Sequence, residues 1–265
     1  MRYGISNLSI VPVRTDPSET SEMCTQILFG EHYSILDENK KWCKVRLFFD
    51  GYEGWIDQKM INDISEKTFL KLSQQQFIVT KNPFNIVQPA KGYGNFLIVA
   101  GSSLPFYKSS NNSFKIGKES YTIQGDRILP VKKNIRNILI ENALKYFNSP
   151  YLWGGRSPFG VDCSGLSQIL YKMIGLQIPR DAGQQALIGE NITFMEETLP
   201  GDLAFFDNEE GEIVHVGIIW EKNKIIHSSG KVRIDNIDHF GIYNIDTNRY
   251  SHQMRLMRRI IQSNE

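Results

Sequence analysis

The sequence predicts an α+β protein, two small β-barrels followed by a domain of helices and an antiparallel sheet. Three observations lead there. Residues 1 to 130 carry short alternating apolar runs broken by Gly, Pro and Asp. After Pro130 the apolar spacing lengthens to that of helices. Beyond Pro200 the short strand-like runs return, and helices followed by antiparallel strands make an α+β domain. The expected domains are 1–63, 64–130 and 131–265.

In the first domain "GISNLSIVPVR" alternates loosely and "TDPSE" turns the chain. "WCKVRLF" alternates again, and "DGYEG" turns it into the short strand "WID". In the second, "FLIVAGSSLPFYKS" echoes "SNLSIVPVRTDPS", an apolar strand running into a turn. In the third, "NIRNILIENALKYF" has helical periodicity with one polar interruption at Asn142. "GLSQILYKMIGLQIP" is a second helix: Leu166, Ile169, Leu170, Met173 and Ile174 share one face, and Gly175 and Pro179 supply the stop. "RDAGQQALIG" predicts a short third helix. "DLAFF", "IVHVGIIW" and "KIIHSS" predict strands.

The chain has 265 residues, 41% of them hydrophobic and 22% charged, with a net charge of +1, so it has ample material for a core and no basic run to suggest nucleic acid or a membrane surface. No window reaches the ~18 apolar residues of a membrane span. "MRYGISNLSIVPVR" lacks the apolar stretch of a signal peptide. A cytoplasmic location is expected, or a periplasmic or extracellular one if a leader was removed. The three cysteines are Cys24, Cys43 and Cys163. This odd, widely spaced set is no disulfide framework, and Cys24 and Cys43 read more simply as small buried hydrophobes than as a pair.

The stretch "YLWGGRSPFGVDCSG" places Cys163 in the first turn of the second helix, after Asp162, a favoured N-cap. Free N–H groups and the helix dipole there favour a thiolate, so a depressed thiol pKa is expected. A buried cysteine near a helix start fits the same local pattern equally well. A thiol nucleophile also needs a base, and His32, His215, His227, His239 and His252 are available. His215 and His227 sit in consecutive strands joined by "EKNK". One could take the thiol proton and return it to the leaving amine, while the other sets the first ring's tautomer. For both rings to share a face, the connection needs an odd loop or a bulge. Cys163, His215 and His227 could also ligate zinc, but no CxxC, HxxxH or HExxH spacing supports it, so neither metal nor cofactor is expected.

"DCSGL", "VHVGII" 52 residues on and "IIHSSG" 12 further (215 − 163; 227 − 215) resemble the NlpC/P60 cysteine peptidases, a papain-like fold. "PYLWGG", "IPRDAGQQ" and "LPGDLAFF" strengthen the likeness, and "SNLSIVPVRTDPS" with "GYEGWI" resembles bacterial SH3 (SH3b) modules. Two such modules ahead of an NlpC/P60 domain resemble the dipeptidyl-peptidase VI type. This resemblance implies hydrolysis of the γ-D-glutamyl–L-diamino acid bond in murein stem peptides with a free N-terminal L-Ala (L-Ala-γ-D-Glu-L-Lys or its diaminopimelate counterpart), in peptide recycling. It implies Cys163 as nucleophile, His215 as base and His227 as orienter. Tyr151 and the Cys163 N–H become oxyanion donors, and Asp162, Ser164 and Ser228 contact substrate. Arg180 and Asp181 read as an ion pair or rim. Glu53 matches an acidic position that reads the free amine, and Tyr93 is a candidate for the linker tyrosine. A monomer is expected, partnered by the peptide alone. Two alternatives are a hydrolase of intact wall anchored by its SH3b modules and an inactive wall-peptide-binding protein.

Overall fold

The computed structural model describes residues 1–92, 94–128 and 134–262. Tyr93 and the 129–133 junction lie outside them. The chain forms two units: residues 1–130 with 153–157, and residues 131–152 with 158–265.

The first unit opens with β1 (Arg2–Ile5), β2 (Ile10–Arg14), β3 (Met23–Leu28), β4 (His32–Asn39), β5 (Trp42–Leu47), β6 (Glu53–Asp57) and β7 (Asp63–Ile64). They form one antiparallel sheet in the order β3-β2-β6-β5-β4-β1-β7. Alternation turns Val11, Val13, Ile27, Tyr33, Val45 and Ile56 inward, and Cys43 joins them, with Cys24 packed alongside. None of the three cysteines forms a disulfide.

Helix α1 (Glu66–Ser73) is capped by the Ser65 hydroxyl, which accepts from Thr68 N. Strands β8 (Val79–Thr80), β9 (Phe84–Pro89), β10 (Phe96–Val99), β11 (Ser113–Ile116), β12 (Glu119–Gln124) and β13 (Arg127–Ile128) follow. They make a four-stranded sheet, β10-β9-β12-β11, and a β8–β13 ribbon. This second module does not close a core of its own. Val87, Ile98, Phe114 and Tyr121 pack with Ile5 and Phe29 from the first module and Leu72 from α1. Strands this short gain enough buried surface only by sharing it.

Residues 153–157, which include β14 (Arg156–Ser157), also belong to the first unit. The fully buried Arg156 forks onto Glu31 at 2.9 and 3.0 Å and donates to Gln26 O at 2.7 Å. Gly154 has φ +74°, and a Cβ there would fall 2.3 Å from Met23 O, so no other residue fits against β3.

The second unit contains α2 (Ile135–Lys145), β15 (Gly160–Val161), α3 (Cys163–Met173), α4 (Ala182–Gln185), β16 (Glu190–Ile192), β17 (Leu203–Asp207), β18 (Ile213–Glu221), β19 (Lys224–Ser229), β20 (Lys231–Ile237), β21 (Gly241–Asn244) and β22 (Arg249–Arg259). The polar interruption expected in α2, Asn142, is itself buried. Every residue of α3 is buried. The sheet runs β16-β22-β17-β18-β19-β20-β21, and β22 also pairs with β21, so β17 to β22 close into a six-stranded barrel. Ala204, Phe206, Ile219, Ile225, Ile237, Ile242 and Met257 fill it. The alternate residues Val216, Ile218 and Ile226 leave the other face, where α3 packs on β18 and β19. Among the described residues no helix is long and apolar enough to cross a membrane.

Candidate active site

Asp162 caps α3 as expected, its Oδ1 accepting from Gly165 N at 2.6 Å. The same carboxylate holds Arg180 bidentately, at 3.0 and 2.5 Å, with both side chains buried. Ser164 Oγ lies 2.9 Å from Arg180 Nη1 and 3.3 Å from Asp162 Oδ1. The anticipated ion pair of Arg180 is therefore made with Asp162, and it locks the turn that presents Cys163.

The thiol is buried, and burial, reinforced by Asp162, pushes it up to about 11. Hydrogen bonds from the Val216 and Ser164 N–H groups and the charge of Arg180 work the other way and do not prevail. This corrects the expectation of a depressed thiol: desolvation of the anion outweighs the helix start. The resting pair is a neutral thiol and a neutral imidazole.

The Val216 N–H reaches the sulfur from the residue next to His215. The bulge that the sequence left open is present: the β18–β19 register shifts between Ile219 and Glu221, which sets Gly217 opposite His227. His215, two residues before Gly217, then shares a face with His227, and His215 Nε2 lies 2.9 Å from His227 Nδ1. His227 Nε2 lies 3.0 Å from Asp235 Oδ2, and Arg233 grips Asp235 at 2.6 and 2.8 Å. The His252 ring stacks on that of His215, with centroids 4.1 Å apart and planes 25° apart. These groups form the polar end of the barrel interior.

Burial, then the neighbouring His227 and His252, holds the His215 pKa well below its usual value. Burial lowers His227 too, against the pull of Asp235, and lowers His252 to about 4. Burial works to raise Asp235, but the hydrogen bonds of His227 and Arg233 outweigh it and hold the carboxyl far below the usual range. Tyr151, half-buried, is pushed up to about 12 by burial and by the nearby Cys163 and Asp162. Its hydroxyl stays protonated, as an oxyanion donor must.

Two expected substrate contacts are engaged elsewhere. Ser228 is fully buried and donates to Val161 O at 2.8 Å, which ties β19 to β15 and uses its one hydroxyl proton. Glu53 lies on β6 in the first unit, with Lys44 at 3.0 Å and Arg46 at 2.8 Å. Arg46 first and Lys44 second hold its carboxyl below the usual range, so an arriving ammonium would compete with both cations.

The nitrogens of His215, His227 and His252 lie within 4.8 Å of one another, the spacing of a metal cluster. Their nitrogens are largely engaged already. Both nitrogens of His227 are hydrogen-bonded, and His252 Nδ1 lies 2.9 Å from Ser251 Oγ. The sequence motifs do not point to Asp235, and they leave His252 only as one of five available histidines. The signal for Asp235 was its strand alternation, since it lies two residues beyond Arg233, the cross-strand partner of His227.

A buried thiol at a helix start beside a hydrogen-bonded histidine pair defines a cysteine peptidase of papain-like design. The sequence matches the NlpC/P60 family over residues 148–259 and the bacterial dipeptidyl-peptidase Sh3 domain over residues 13–61. It is 33% identical over 218 residues to a γ-D-glutamyl-L-lysine dipeptidyl-peptidase of Bacillus subtilis (strain 168), covering 77% of this chain and 71% of that one. It is 26% identical over 250 residues to the dipeptidyl-peptidase 6 of Lysinibacillus sphaericus, covering 84% and 87%. An NlpC/P60 family protein from Bacillus cereus ATCC 10987, solved by crystallography, shares the fold with a TM-score of 0.81 at 20% identity, over 97% of this chain and 99% of that one. The chain belongs to the NlpC/P60 family of cysteine peptidases and carries a bacterial SH3 domain.

Proposed function

We propose that the chain is an endopeptidase that hydrolyses the γ-D-glutamyl–L-diamino acid bond of murein stem peptides with a free N-terminal L-Ala. It releases L-Ala-γ-D-Glu in the recycling of wall peptides inside the cell. The second β-module is read as a reduced SH3-like module beside the first. One observation carries the chemistry: the Cys163 sulfur accepts from Val216 N–H, next to a His215 whose Nε2 is already held by His227. That leaves Nδ1 of His215 for the thiol. The relatives' names support the choice of bond.

The sulfur attacks the γ-carbonyl carbon as His215 takes its proton. The oxyanion that forms is held by the Cys163 N–H and the Tyr151 hydroxyl. Collapse returns the proton from His215 to the leaving α-amine of the diamino acid, leaving a thioester on Cys163. Water, deprotonated by His215, hydrolyses the thioester and frees the dipeptide and the thiol.

Mass spectrometry of L-Ala-γ-D-Glu-L-Lys and L-Ala-γ-D-Glu-diaminopimelate digests, with intact peptidoglycan in parallel, tests this. The expected result is free dipeptide from at least one tripeptide, none from Cys163→Ala, and little release from intact wall. Tripeptides left whole by wild-type enzyme under reducing conditions would overturn the reading.

A further inference from the structure

His227 has a second partner that the peptidase reading does not use. Asp235 is 1% exposed inside the barrel, where an ionised carboxylate needs a compelling set of partners. It has them: His227 Nε2 and Arg233 Nε meet at Oδ2, while Arg233 Nη2 at 2.8 Å and Ile245 N at 3.4 Å meet at Oδ1. Arg233 is itself steadied by Asp246 at 2.9 Å and Asn244 at 3.2 Å.

We propose that Asp235, clamped by Arg233, is the positioning residue that sets the tautomers of both active-site histidines. The proposal rests on the thiol-peptidase reading and deepens it. A carboxylate only accepts, so His227 Nε2 must carry the proton that lies between them. A neutral His227 then has a bare Nδ1, which can only accept. His215 Nε2, 2.9 Å away, must therefore donate. His215 Nδ1 is left bare, which is what a base for the Cys163 thiol requires. When His215 becomes an imidazolium during attack, its Nε2–H still meets an acceptor, and the negative charge of Asp235 lies one ring further on. The proton order is dictated from the far end of the chain, three side chains from the sulfur.

Asp235→Asn should reverse it. An amide oxygen placed at the Oδ2 position would put the NH2 against two fixed donors, Arg233 Nη2 and Ile245 N. The opposite orientation faces the NH2 toward Arg233 Nε and His227, and only the histidine can adapt. His227 then accepts at Nε2 and moves its proton to Nδ1. His215 must accept at Nε2 and protonate Nδ1, so the base is lost.

The test is 15N NMR of the histidine side chains at neutral pH, with kinetics on the tripeptide and the iodoacetamide rate of Cys163 read by peptide mass spectrometry. Wild type should show His215 and His227 both protonated at Nε2. Asp235→Asn should move both to Nδ1, slow Cys163 alkylation, and lower kcat by about 10²–10⁴, the range of a lost general base, with KM little changed. A wild-type spectrum with either ring protonated at Nδ1 overturns the proposal, as does an Asp235→Asn enzyme that keeps the wild-type tautomers or kcat. The wild-type spectrum decides even where the variant does not fold. Neither the spectrum nor the alkylation rate involves the peptide, so failure of the tripeptide assay alone would count against the proposed substrate and not against the relay.

Discussion

Gly217 shows how one missing side chain shapes the site. It faces His227 across the β18–β19 ladder, and a Cβ there would lie 2.5 Å from Ile225 Cδ1 and 3.0 Å from His227 Cβ. His227 Cβ is tied to its backbone, and the end of Ile225 can turn aside only into the packed barrel interior. Gly217→Ala is expected to destabilise the protein by about 1–3 kcal/mol through overpacking. It should also lower kcat, because His227 would have to move from its 2.9 Å contact with His215. A thermal melt and a kcat measurement on the same preparation check this; a variant with unchanged kcat would show that the histidine contact tolerates displacement. At this scale the sequence was informative about chemistry and poor about neighbours. Cys163, His215 and His227 are residue types with few other reasons to recur in such a pattern. Asp235 and Ser228 are ordinary polar residues whose roles depend on which atom they meet, and local pattern does not carry that.

The elements around the thiol were legible where their cause is local. Asp162 before an apolar i, i+3, i+4 run predicts a capped helix, and α3 starts at Cys163 with the cap bonded to Gly165 N. The three strands expected after Pro200 form as β17, β18 and β19. The closure of the sheet was not legible, because β22 pairs with β17 and β21 through contacts far apart in sequence. The sequence calls for either an odd loop or a bulge between the two histidine strands, and it does not say which; the bulge in β18 answers it. Nor did the pattern reveal that the cap also pairs with Arg180, 18 residues on, and this changes what a substitution does. Asp162→Ala removes the cap and takes from the buried Arg180 guanidinium the carboxylate that neutralises it, so a loss of about 3–5 kcal/mol is expected, well beyond the ~1 kcal/mol of a cap alone. Denaturant unfolding of Asp162→Ala, Arg180→Met and the double variant checks it. The double variant should recover part of the loss, since no unpaired charge remains buried.

For the whole molecule, two buried imidazoles and a half-buried third at one end of a barrel make folding a matter of pH. His215, His227 and His252 all have folded-state pKa values below the ordinary 6.5, with burial the leading cause in each. The unfolded chain therefore binds more protons than the folded one once pH drops below about 6.5. Stability is full above that value and is lost as pH falls through it, and for His252 the loss continues down to about 4. Asp235, whose folded-state pKa is depressed, adds a further loss below the unfolded carboxylate value near 3.9. The three imidazoles act in the same direction, so the melting temperature should be level between pH 7 and 8 and decline steadily from 6.5 to 5. His252→Phe keeps an aromatic ring against His215 and removes one titrating group, so it should flatten the decline without abolishing it. Activity should follow a different course. His215 stays neutral well below pH 6.5, so kcat/KM should hold its value at mild acidity, in the range where the melting temperature is already falling. Melts and initial rates from one buffer series separate the two effects. A melting temperature that is flat from pH 7.5 to 5 would mean that the imidazoles are protonated as readily in the fold as in the open chain, contrary to their burial in the barrel.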